Sequence, residues 1–282
     1  MNFKEFVRFA YGLALGVSTP FLKPTNRFLF PTVAIPIDDR LTIFLGGSSV
    51  CGILVEGSRA LVINVNQGVA ATALKKVLMD KGVAGRETII LNSLAADFSG
   101  GLPLFAEAEK IYVGPADDRA LRNQLRDISG DPLAKCESVR TEKRFDFGDE
   151  TVVLIPVGSS ATESDLVVFF EKRSILFMGA LFYNQIHPIL RVGNGLQPQS
   201  WIRNFSMLME RFKPKTVIPA EGDLASFEDA QKFLNYLKDL TDSSVEFSQC
   251  RAKYDWSEIP SYTSLEENFD LLRDQIKSHT TL

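Results

Sequence analysis

The chain has 282 residues, of which 45% are hydrophobic and 23% charged, and a formal charge of −4 at neutral pH. That length holds one large core or two modest ones, and the composition is ordinary for a globular domain. The acidic balance excludes nucleic acid as the main partner, because phosphate binding needs a concentrated basic face.

No run of 18 apolar residues is present, so no transmembrane helix is expected. Cys51, Cys136 and Cys250 are far apart, odd in number and form no C-x-x-C pair. They indicate neither a disulfide framework nor a zinc ribbon, and read as buried free thiols in a reducing compartment.

In chain order, Phe3, Phe6, Val7, Ala10 and Leu13 have helical spacing and predict an amphipathic helix. Phe9 to Val17 also resembles a short signal sequence, although Glu5 interrupts its basic region and no A-x-A site follows. The expected location is therefore the cytoplasm, with export as the alternative if that stretch is a signal. A proline-rich connector, Pro20 to Pro36, should be extended. Leu41–Leu45, Val50–Val55 and Ala60–Asn64 read as strands separated by Gly46-Gly47 and Glu56-Gly57-Ser58 turns. A helix through Val69, Ala73, Leu74, Val77 and Leu78 is stopped by Gly82.

The next stretch, Thr88 to Gly101 (TIILNSLAADFSGG), is a short apolar strand that runs into a polar loop with paired glycines. In α/β folds such strand ends are where ligands sit. Leu102 and Phe105 mark a short helix, Lys110–Val113 a strand, and Ala116–Ile128 a helix. The second half repeats the order. Strands are expected at Phe145–Phe147, Thr151–Pro156, Leu166–Phe170 and Ser174–Met178, then a helix at Trp201–Phe212 and a strand at Thr216–Ile218. A loop, Pro219–Asp223, precedes a helix capped by Ser226. Ser264 with Glu267 forms a capping box for a last helix.

Four segments resemble the metallo-β-lactamase fold superfamily, and they occur in the right order between about Ser49 and Leu240. SSVCGILVEGSRALVINVNQG is similar to the opening hairpin, with Asn64 where the family commonly has aspartate. TIILNSLAADFSGG resembles the T-H-x-H-x-D-H-x-G-G loop. VGSSATESDLVVFFEKRSILFMGALFYNQIHP resembles the segment with G-H-T and L-F-x-G-D, and VIPAEGD resembles V-I-P-G-H-G. The resemblance implies an α/β fold, a four-layer αββα sandwich with extra N- and C-terminal helices. The corresponding domains are 1–40 (helix and connector), 41–240 (the metallo-β-lactamase-like domain) and 241–282 (a helical extension).

Members of the family hydrolyse esters, thioesters, lactones, amides or phosphoesters with one or two zinc or iron ions, which acidify a bound water and polarise the scissile bond. Their ligands are five histidines and two aspartates. Laid on that pattern, the seven positions here are Ser93, Ala95, Asp97, Phe98, Ala161, Ala180 and Glu221. Only Asp97 is preserved, with Glu221 a further oxygen donor. The chain's two histidines, His187 and His279, fall at none of these positions. Imidazole gives such sites their affinity for borderline metals, so no metal and no cofactor is expected.

Each remaining polar group has an ordinary reading beside a functional one. Asp97 reads as a structural carboxylate of the loop, with general base or cation ligand as the alternative. Glu221 reads as a solvated loop carboxylate or a polar-ligand contact. Ser93 with Asp97 or Glu221 makes a metal-free hydrolytic pair only in an unusual arrangement. His187 and Arg191 are placed at the pocket rim, the former as a hydrogen-bonded loop histidine, the latter as a surface ion pair or an anion contact. The expectation is a pseudoenzyme that binds a protein or small molecule, as a homo-oligomer or with an active homologue. The alternative is an atypical hydrolase with a metal-free or carboxylate-only site.

Overall fold

A computed structural model describes residues 32–125, 132–188, 190, 195–258 and 265–280. The N-terminal helix expected near Phe3–Leu13, the box residue Ser264 and the rim residue Arg191 lie outside the described residues. The first sheet has seven strands in sequence order: β1 (Val33–Pro36), β2 (Leu41–Leu45), β3 (Cys51–Glu56), β4 (Arg59–Ile63), β5 (Glu87–Ile90), β6 (Lys110–Val113) and β7 (Cys136–Ser138). β1 to β4 are antiparallel hairpins, and β4 to β7 run parallel. The parallel connections pass through α1 (Gly68–Asp80), the short α2 (Ala96–Ser99) with a 3-10 turn at Leu102–Phe105, and α3 (Asp118–Leu125) with α4 (Pro132–Lys135). Within the span read as connector, Val33–Pro36 is the edge strand of this sheet.

The second sheet contains β8 (Lys143–Phe147), β9 (Glu150–Gly158), β10 (Asp165–Phe170), β11 (Ile175–Tyr183) and β13 (Thr216–Glu221), in the order 13-11-10-9-8. β12 (Ile186–His187) pairs separately with β14 (Ser257–Glu258). The helices of this half are α5 (Pro198–Phe212), α6 (Phe227–Thr241), α7 (Phe247–Lys253) and α8 (Leu265–Thr280).

Side-chain alternation sorts each strand between two cores. In β10, Leu166, Val168 and Phe170 enter the layer between the sheets, while Val167 and Phe169 face the helices. In β4, Leu61 and Ile63 face the other sheet and Ala60 and Val62 pack under α1. Both faces of these strands are buried, as near-continuous apolar runs require. α1 and the 3-10 turn cover the first sheet, and α5, α6 and α8 cover the second. The result is the expected αββα sandwich.

Local chemistry fixes the helix ends. Ser226 Oγ accepts from Asp229 N (3.1 Å) while Asp229 Oδ2 accepts from Ser226 N (3.0 Å), a reciprocal cap for α6. α5 ends at Lys213 in the left-handed conformation, just before Pro214.

Two expectations about elements change. β11 continues to Tyr183, past Met178, and the Pro219–Asp223 loop is strand as far as Glu221. Pro219 lacks an N–H for the ladder, yet it sits opposite Gly179 at a register shift, where the regular bond is interrupted in any case.

The ends of the sandwich differ. At one end Arg173 bridges Asp38 and the fully buried Glu150, each at 2.7 Å, and Arg40 pairs with Glu56 and Asp149. The other end collects the loops after β4, β5, β9, β11 and β13. Apart from Glu87 and Glu150, all the buried polar residues among those described lie there or close by.

Candidate functional site

The strand-end loops are built around three hydrogen-bonded groups. In the first, Asn64 follows β4 with a left-handed backbone (φ 59°), a conformation asparagine tolerates. Its Nδ2 donates to Val50 O (3.1 Å) and Asn92 Oδ1 (2.9 Å), and its Oδ1 accepts from Asn92 N (2.9 Å). Asn92 then crosses to the second sheet, donating from Nδ2 to Leu166 O at 2.6 Å. The backbone of Gly179, also left-handed, packs so closely that a Cβ there would overlap the Asn92 side chain.

The second group is centred on Asn66 (φ 58°). Its Oδ1 accepts from Ser48 N and Gln67 N, and its Nδ2 donates to Ser49 O and Gly46 O. The Asn66 carbonyl accepts from Gly101 N at 2.7 Å. This seats α2 against the loop after β4. Asp97, in α2, has Gln67 Nε2 3.3 Å from its Oδ1 and Ser48 Oγ 2.8 Å from its carbonyl oxygen.

The third group joins the halves through Ser93. Ser93 Oγ lies 2.9 Å from Thr162 Oγ1, which donates to Asp165 Oδ1 at 2.6 Å. Asp165 Oδ2 accepts from Ala161 N and Thr162 N, both at 2.8 Å, and Ser93 Oγ accepts from Ala95 N at 3.1 Å. When Asp165 is ionised the Thr162 proton is committed to the carboxylate, and Ser93 then donates to Thr162. Burial pushes the Asp165 carboxyl up to about 7, against the pull of the donors from Thr162, Ala161 and Ser160. Ser93 is wholly buried and Asp165 nearly so.

The residues singled out in the sequence separate as follows. Phe98, Ala161 and Ala180 are buried in one apolar cluster, with Ala95 packed at its edge. Ser93 meets Thr162, and neither Asp97 nor Glu221 is the hydroxyl's partner in the bonds above. Glu221 is half-buried at the end of β13, opposite Tyr183, and its carbonyl accepts from Asn184 N at 2.9 Å. His187 belongs to strand β12. Its buried ring has Nδ1 3.1 Å from Tyr236 Oη and packs beside Trp256.

Sequence reading missed Thr162, Asp165, Asn66 and Asn92. The Thr162-x-x-Asp165 spacing was the available signal, since a hydroxyl and a carboxylate three apart often bond each other and the intervening backbone.

This sheet order and this placement of loops are those of the metallo-β-lactamase fold. Among solved structures the chain is similar to a metallo-beta-lactamase from Pontibacter korlensis (TM-score 0.58, 17% identity, covering 74% of this chain and 99% of that one). It is similar also to VMB-1 (0.58, 16%, 75% and 98%) and to the DIM-1 metallo-beta-lactamase (0.58, 14%, 74% and 98%). At such identities the likeness is one of fold. No protein-family model matches the sequence. No curated protein matches it.

The donor set does not fit the metal centre that this fold implies. Of the seven residues that the sequence resemblance lays on the ligand positions, four carry hydrocarbon side chains, and among the described residues no three His, Cys, Asp or Glu side chains come together as a metal site would require. Nor is any helix among those residues long and apolar enough to cross a membrane.

Proposed function

We propose that this chain is a metallo-β-lactamase-fold protein that has lost its metal site and acts by binding a protein or a small ligand, not by catalysis. The observation carrying this reading is the burial in one apolar cluster of Phe98, Ala161 and Ala180, the residues that the sequence resemblance lays on metal-ligand positions. A phenyl ring and two methyl groups offer no lone pair. The carboxylates of Asp97 and Glu221 are hard oxygen donors, a poor match to zinc without imidazole. Three free thiols support a reducing, cytoplasmic setting. Assays on ester, thioester and lactone substrates test the reading. The expected rate equals that of an Asp97→Asn/Glu221→Gln variant, and turnover abolished by a chelator refutes it.

A metal-free hydrolase is the second reading, and one observation favours it. The chain Ser93–Thr162–Asp165 is a continuous path by which a serine proton could reach a carboxylate. Its difficulty is that Ser93 has no exposed surface. Labelling of Ser93 by a serine-reactive phosphonate, lost in Ser93→Ala, distinguishes this reading from the first.

A further inference from the structure

The seven ligand positions come from both halves of the sandwich: Ser93, Ala95, Asp97 and Phe98 from the loop after β5, and Ala161, Ala180 and Glu221 from the second sheet and its loops. An ion held by such a set would tie the sheets together. Hydrogen bonds run between the halves at the same place. Leu166 N donates to Asn92 O (2.8 Å), Asn92 Nδ2 to Leu166 O (2.6 Å) and Val50 N to Ala220 O (2.8 Å), and Ser93 Oγ meets Thr162 Oγ1 at 2.9 Å. The approach is close enough that a Cβ on Gly114 would overlap the Ser164 carbonyl oxygen.

We infer that these cross-sheet bonds form a latch, centred on Asn92 and Ser93, which takes the mechanical place of an ion and keeps the strand-end face closed. The inference rests on the metal-free reading above. It adds that any ligand entering between the strand ends must first break Ser93–Thr162. Partner contacts made without opening the latch lie on the outer surface.

Asn92 is held from both sides. Asn64 fixes its amide oxygen and backbone N–H, so its Nδ2 is aimed at Leu166 O and nowhere else. Thr162 is held in the same way by Asp165, which takes the threonine proton and orients the oxygen toward Ser93. Each half thus presents a pre-set group, and little conformational freedom remains to be lost when the two meet.

Native-state hydrogen exchange on the full chain tests this. The amides of Val50, Ala161, Thr162 and Leu166 report the latch, and those of Lys172 and Leu176 report the opposite end. In Asn92→Ala the first group is expected to exchange at least about tenfold faster with the second unchanged, the pattern of local opening. Ser93→Ala removes one hydroxyl oxygen and Thr162→Val exchanges a hydroxyl for a methyl group, and they serve if Asn92→Ala does not fold. Each should speed the amides of Ala161 and residue 162, and the double variant by less than the two single effects combined, because the Ser93–Thr162 bond is lost in both.

Site-end amides that exchange as in the parent, or that speed up only in step with Lys172 and Leu176, overturn the latch alone. Thermal stabilisation of the unaltered chain by added zinc overturns the reading beneath it, and the latch as an ion substitute with it.

Discussion

Asn92 and Leu166 exchange two hydrogen bonds across the gap between the sheets, one from the Leu166 amide to the Asn92 carbonyl (2.8 Å) and one from Asn92 Nδ2 to the Leu166 carbonyl (2.6 Å). Both residues are buried. Replacing Asn92 with alanine strands Leu166 O and one N–H of Asn64 Nδ2, while Asn64 Oδ1 keeps the backbone N–H of residue 92. Each buried group left unmet costs about 1–3 kcal/mol, so a loss of roughly 2 kcal/mol or more is expected in urea unfolding. A change under about 0.5 kcal/mol contradicts the arrangement.

Asn64 yields a sharper test, because the related fold commonly has aspartate there. Here Nδ2 donates to two acceptors, Val50 O and Asn92 Oδ1. A carboxylate would set oxygen against both. Asn64→Asp, a step toward the family's residue, is expected to destabilise by about 3 kcal/mol or more. Equal stability of the two proteins at pH 7 would show that those contacts carry no weight.

Asp165 makes stability depend on pH. Burial raises its carboxyl in the folded chain to about 7 from an ordinary 3.8, so folding favours the protonated form. This contribution is complete below about pH 4, declines as the unfolded chain ionises, and is lost once pH passes about 7. Its span is about 4 kcal/mol, from the free energy attached to each pH unit. Asp165→Asn keeps an oxygen for the Ala161 and Thr162 amides and removes the titration. The difference in stability between parent and variant should therefore shift in the variant's favour from pH 4 to pH 7. A difference that stays constant, or shifts the other way, goes against the assignment.

Phe98→His places an imidazole at a position that the sequence resemblance lays on a metal ligand, and tests whether such a site can be built piecemeal. Phe98 is buried among apolar groups, and an imidazole there loses packing while gaining a polar atom to satisfy. The expected outcome is a loss of about 2–4 kcal/mol with no zinc-dependent rise in melting temperature. A variant that zinc restores to parental stability would mean the neighbouring groups can still converge on an ion.

The fold was largely legible in the sequence because burial on alternate faces writes itself into strands such as Leu166–Phe170, and because glycines mark the turns. The site was legible only in outline. The loop TIILNSLAADFSGG can be laid on the family's pattern position by position, but what Ser93 bonds to depends on Thr162, 69 residues away. The sequence reads Pro219–Asp223 as a loop, whereas the strand continues through Pro219, opposite Gly179 at a register shift, as far as Glu221. His187 meets Tyr236 of α6, 49 residues on, and β12 with β14 joins two-residue strands, too short to leave a periodic trace.

The most direct measurement is the metal content of the purified full-length chain, by elemental analysis after equilibration with zinc and with ferrous iron followed by gel filtration. The account predicts well below one equivalent of either metal per chain and an unchanged melting temperature after chelation. One or two tightly held equivalents, with a melting temperature that falls on chelation, would contradict it.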